Sequence, residues 1–253
     1  MKKIYFLLLA TILIASCKPG SKTNNRSEGK PVITVTLEPL RYLTEAIAGD
    51  RFTVVSMVPK GTSPETYDPT PQQLVELARS KAYFRIGYIG FEQTWTDKLT
   101  DNAPHLQFFD MSQGVDLIYD NTHVHHHAAN EKEHQHAIGV EPHIWNSAVN
   151  AQIIAGNILS ALRNIDKGNE DFYLERYNTL CRKIEHTDSL IRQTLATPGA
   201  DHAFMIYHPA LSYFARDYGL HQIPIEAGGK EPSPAHLKLS LIHISEPTRR
   251  TPI

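Results

Sequence analysis

Residues 169–196, NEDFYLERYNTLCRKIEHTDSLIRQTLA, decide how the chain is read. Asn169 can cap a helix, and Glu170 and Asp171 suit its first turn. Apolar residues then recur at Tyr173, Tyr177, Leu180, Ile184, Ile191 and Leu195, spaced by three, four or seven. Pro198-Gly199 ends the run. At 1.5 Å per residue this is a helix roughly 40 Å long, enough to run the length of a small protein and brace two lobes.

On its N-terminal side, helix and strand alternate. VITVT (32–36) and FTVVSMV (52–58) are β-branched and apolar and read as strands. Between them LRYLTEAIA (40–48) reads as a helix ended by Gly49. Pro71 opens a helix at QQLVELARS, AYFRIGYI (82–89) is the next strand, and FEQTWTDKL and LQFFDM continue the pattern. A further helix spans 147–164. Such alternation predicts an α/β fold with a parallel sheet. On the C-terminal side the order recurs faintly. EPLRYLTEAIAGDRFTVVSMV leads through SPETYDPTPQQL, and HPALSYFARDYGLHQIPIE leads through GGKEPSPAHLK. Both read as a turn, an aromatic-bearing helix, Gly, a strand, a Pro-rich loop and a new helix.

The two ends read differently from the middle. Residues 1–16 have a basic start at Lys2 and Lys3 and an apolar run too short to span a bilayer, as in a secretory signal. Ile14-Ala15-Ser16-Cys17 resembles a bacterial lipobox, which implies cleavage before Cys17, lipid on that residue, and a polar tether through residue 31. The other cysteine, Cys181, lies in the long helix and would have no disulfide partner. It reads as a small buried apolar residue. Residues 239–253, LSLIHISEPTRRTPI, look like a library adapter translated in frame and are expected to be non-native. The second lobe then begins at 199 and stops at 238, incomplete. Setting aside Lys2, Lys3, Glu246, Arg249 and Arg250 takes the formal charge from −2 to −5. An acidic chain with no basic patch argues against a nucleic-acid partner.

Six of the fourteen histidines fall in HVHHHAANEKEHQH: His123, His125, His126, His127, His134 and His136. His143 follows in EPHIW, before a helix. His208 ends an apolar run in MIYHPA, and ligands in open α/β sheets collect beyond the carboxyl ends of strands. A chain that gathers imidazoles just before His143 is suited to a borderline transition metal. Gly228-Gly229-Lys230 lacks the rest of a phosphate loop.

Taken in order, EPLRYLTEAIAGD, VPKGTSPETYDPTP, the His-rich loop before EPHIW, the long helix and YHPALSYFARDYGL resemble the zinc- and manganese-type solute-binding proteins of ABC importers. The zinc branch is the nearer, and the resemblance covers residues 32–238. It implies two α/β lobes, an N-terminal one at 32–166 carrying the His-rich loop (114–140) and a C-terminal one, joined by a linking helix at 167–198. It implies one metal in the cleft, held by Glu65, His143 and His208, with Asp68 an alternative to Glu65 and a late acid absent from this chain. The family usually has His where Glu65 stands. Glu65 would also suit Mn2+, whereas His208 and the loop favour Zn2+. The loop histidines are expected to collect metal as an accessory site. The expected product is a monomeric lipoprotein on the periplasmic side or cell surface that captures metal for an ABC permease and its ATPase subunit and is not an enzyme. The other readings are a buffering or adhesin lipoprotein, and a zinc hydrolase with Glu141 as base.

Overall fold

A computed structural model describes residues 29–119 and 139–226. The loop histidines His123–His136, Cys17 and residues 239–253 lie outside the described residues. Four strands, β1 (Val32–Val35), β2 (Thr53–Ser56), β3 (Ala82–Arg85) and β4 (Gln107–Asp110), form a parallel sheet in the order β2-β1-β3-β4. Its registers run Val32↔Thr53, Ile33↔Ala82 and Ala82↔Gln107. Ile33, Val35, Tyr83 and Phe84 are fully buried, as expected of strands covered on both faces.

The helices are α1 (Glu38–Ala48), α2 (Pro71–Ala78), α3 (Gly90–Asn102), α4 (Ala148–Ile165), α5 (Glu170–Leu195) and α6 (Ser212–Tyr218). α1 buries Leu40, Leu43, Thr44, Ile47 and Ala48, one stripe at helical spacing. α2 begins with a full capping box between Thr70 and Gln73, with Pro71 at its start. In α4 the cap is Ser147, whose Oγ accepts from the Asn150 amide.

The long segment is helical over 26 residues, close to the expected 169–196. Its first half packs on α1 and α4 and buries Tyr173 and Leu180. Its second half meets α6, where the Tyr218 hydroxyl donates to Asp188 Oδ1 at 2.7 Å. Cys181 is only partly buried, a correction to the sequence reading.

Beyond α5, strands β5 (Ala203–Ile206) and β6 (His221–Pro224) pair in parallel around α6. The strand expected over 82–89 is shorter, ending at Arg85. The cause is local: the amides of Ile86 and Gly87 leave the ladder and donate to the Glu92 carboxylate instead.

Candidate metal centre

His143 lies between the His-rich segment and α4, on a short stretch pinned from beneath. Ile144 is fully buried, and its carbonyl accepts from Asn150 Nδ2 at 3.1 Å. The Glu141 carboxylate takes both the His143 amide, at 3.0 Å, and the ring Nδ1. The ring stands edge-on to Trp145, with centroids 5.2 Å apart. Only 12% of this side chain is exposed.

His208 lies two residues past the end of β5, where the sequence reading put it. Its Nδ1 meets Glu226 Oε2 at 3.0 Å. Glu226 follows β6, and its amide donates to the Tyr207 carbonyl at 2.9 Å, so the parallel pairing continues one step and carries the acid to the ring. The two rings approach through their free nitrogens: Nε2 to Nε2 is 3.3 Å. His208 is the more open, 45% exposed.

Glu65 is elsewhere engaged. Its Oε2 accepts from the Gly90 amide at 3.1 Å, at the positive end of α3. The loop touches that helix so closely that a Cβ on Gly90 would lie 2.6 Å from the Glu65 carbonyl oxygen. Asp68 is also occupied, accepting from Trp95 Nε1 at 3.1 Å. Among the described residues no group of three or more His, Cys, Asp or Glu side chains stands ready to hold a metal ion. The structure therefore brings together two of the three expected ligands, because the α3 amide holds the third.

α3 is itself anchored by a buried acid. Glu92 is 1% exposed and receives the amides of Ile86 and Gly87 and the Thr36 hydroxyl, all beyond the carboxyl ends of β3 and β1. Burial holds its carboxyl above the ordinary value, against the lowering effect of those donors. A second polar seat joins the elements around the histidines. The buried Tyr213 hydroxyl donates to the Glu141 carbonyl at 2.8 Å and accepts the Ile118 amide at 3.1 Å. Burial raises its pKa, so it stays a donor. The Glu141 amide in turn donates to the Ile118 carbonyl at 2.9 Å, and Tyr119 bridges Val140 in antiparallel fashion. The two stems of the His-rich loop thus meet just before His143. Asn146 Nδ2 donates to the Ala210 carbonyl at 2.8 Å, tying the His143 stretch to the turn after His208.

The family profile described as "Zinc-uptake complex component A periplasmic" matches residues 33–246. The chain belongs to this family. The match runs into the stretch read as foreign. The chain is 27% identical to the high-affinity zinc uptake system protein ZnuA of Bacillus subtilis, over 92% of this chain and 74% of that protein. It is 28% identical to the manganese ABC transporter substrate-binding lipoprotein PsaA of Streptococcus mitis, over 87% of this chain and 70% of that one. A crystal structure of ZnuA superposes with a TM-score of 0.76 at 34% identity, covering 86% of this chain and 79% of that one. A zinc-bound ZnuA deletion mutant gives 0.70, also at 34% identity, over 86% and 77%. Both metals thus occur among the relatives, and the α/β fold with its parallel sheet is shared with ZnuA.

Sequence alone does not single out Glu226, which the structure places against His208. One signal existed: in QIPIE an acid stands two residues past the second of two parallel strands, at the same carboxyl edge as His208. Glu92 had no such signal, since an acid near the start of a helix reads as an exposed one.

Proposed function

We propose that this chain captures Zn2+ outside the cytoplasm and hands it to the permease and ATPase subunits of an ABC importer, with no covalent chemistry of its own. The observation that carries the reading is the 3.3 Å between His143 Nε2 and His208 Nε2. Two nitrogens bound to one tetrahedral zinc at 2.0–2.1 Å lie about 3.3–3.4 Å apart, so the pair already spans one edge of such a site. Glu65 is the third ligand in this reading and must exchange the Gly90 amide for the metal. Its oxygen, together with the PsaA relatives, gives Mn2+ as the second reading. The histidines of 123–136 serve as accessory collectors that raise the local metal concentration. Lipid on Cys17 holds the protein to the membrane, and among the described residues no helix is long and apolar enough to cross one.

The test is metal competition on the full chain. His143→Ala and His208→Ala should each abolish tight zinc binding, and Glu65→Ala should weaken it. Deleting 123–136 should lower the zinc stoichiometry and leave the tightest site. Tight zinc binding that survives both histidine substitutions sinks the assignment. Manganese displacing zinc at equal concentration would favour the second reading. Rescue of growth in low zinc separates transport from buffering.

A further inference from the structure

We infer that Glu226 is the positioning residue for His208, as Glu141 is for His143, so that each histidine belongs to a finished carboxylate–imidazole unit before the metal arrives. The inference rests on the metal reading of the two histidines and goes beyond it by assigning what aims them.

The geometry is matched on the two sides. Glu141 meets Nδ1 of His143 and Glu226 meets Nδ1 of His208, and both acids are mostly covered, at 14% exposure each. A carboxylate has no proton to give, so each bond requires the proton on Nδ1. That fixes the tautomer and leaves Nε2 with its lone pair, and the two Nε2 atoms are the ones that face each other. Each acid also belongs to its own histidine's neighbourhood. Glu141 is two residues before His143 and takes its amide. Glu226 is held to the residue before His208 by the Tyr207 carbonyl.

The two units differ in how much else supports the ring. His143 has Trp145 against its edge and a buried isoleucine beside it in sequence. His208 is nearly half exposed, and among the described residues its ring meets Glu226 and His143. Glu226 is therefore the more consequential of the two acids: without it the His208 ring is free to turn and to carry its proton on either nitrogen.

The experiment compares wild type, E226A, E226Q and H208A as full chains. Zinc affinity is read by competition with a chromophoric chelator, the metal-free unfolding midpoint is recorded, and long-range nitrogen NMR reports which imidazole nitrogen carries the proton. E226A should weaken zinc about 10–100-fold, as expected for a lost outer-shell partner, without moving the metal-free midpoint. It should also let His208 populate both tautomers. E226Q keeps an acceptor of the same shape and should fall between, with the Nδ1–H tautomer retained. It carries the test alone if E226A does not fold. Wild-type zinc affinity in the Glu226 variants, with H208A losing zinc, overturns the positioning role and leaves the metal reading intact. Wild-type affinity in H208A as well overturns the metal reading itself.

Discussion

The two strand–helix–strand units, β1-α1-β2 and β5-α6-β6, are written in the same local grammar. Each runs parallel, and each helix stops at a glycine with positive φ, Gly49 at 59° and Gly219 at 64°. Their burial differs. In the first unit Ile33 and Val35 are fully buried and Val54 nearly so. In the second, Phe204, Met205 and Ile206 are all only half-buried. The first sheet gains two more strands and is covered by helices, whereas the described part of the second has one helix and one neighbour. Local sequence thus makes the unit, and its neighbours make it a core. For the site, His143 is attached to a rigid platform, and His208 to a ledge that depends on a few specific contacts.

The largest expected difference tests that contrast directly. Phe84→Ala removes a fully buried ring from the centre of the first sheet and should cost about 3–5 kcal/mol in denaturant midpoint. Met205→Ala, in the half-buried second sheet, should cost about 1 kcal/mol, below the range for a fully buried methionine. Equal costs would mean the second sheet is as well covered as the first. Next comes Tyr213→Phe. It strips the hydroxyl from a buried residue that bonds the Ile118 amide and the Glu141 carbonyl, so both lose a partner. About 1–3 kcal/mol should be lost, together with some zinc affinity, because Glu141 and the α6 turn are held through this group. A cost under about 0.5 kcal/mol would show that the two regions do not lean on each other there.

This contrast also explains what could be read in advance. Element order was legible because periodicity survives in single segments: the 3–4–7 spacing of Tyr173 to Leu195, and the apolar runs at 32–36 and 52–58. His143 and His208 were legible by position, one before a helix and one after a strand. Strand ends were not. β3 stops at Arg85 because Glu92, six residues from Ile86 and five from Gly87, draws their amides off, and nothing in AYFRIGYI records that acid. Glu65 reads as a ligand only through the family resemblance, and its resting partner is the Gly90 amide, 25 residues away. The pairing of Glu226 with His208 spans 18 residues and follows from the register of β5 and β6. What stayed hidden in each case was a contact made by a side chain with no periodicity of its own, local for Glu92 and long-range for Glu65 and Glu226.

Two carboxylates sharpen the comparison at acid pH, with opposite signs. Glu92, deep in the first region, has its folded pKa raised by burial above the unfolded value of about 4.3. The folded state then holds this proton more tightly than the unfolded chain. Its contribution is most favourable below the unfolded pKa and is lost as pH rises through the raised one. Glu92→Gln has no proton to release there, so the stability of wild type relative to this variant should be greater at pH 4 than at pH 7. The reverse trend would mean that the three donors, and not burial, dominate.

Asp188 runs the other way and is the smallest effect expected. The Arg192 guanidinium first, at 2.9 Å, and then the Tyr218 hydroxyl lower its pKa. Its contribution is present above the unfolded aspartate value and is lost as pH falls through the lowered one. The Arg192 side chain of this pair is half exposed, so solvent screens it and an i,i+4 surface pair contributes little. Asp188→Asn should therefore shift the midpoint by less than about 0.5 kcal/mol at pH 7, with the difference shrinking further toward pH 3. Asp188 nonetheless sits where α5 meets α6, the helix that follows the turn carrying His208. If its loss destabilises the protein by more than 1 kcal/mol or so, the second half of α5 is a principal support of the C-terminal unit, and the ledge under His208 is firmer than its half-buried strands suggest.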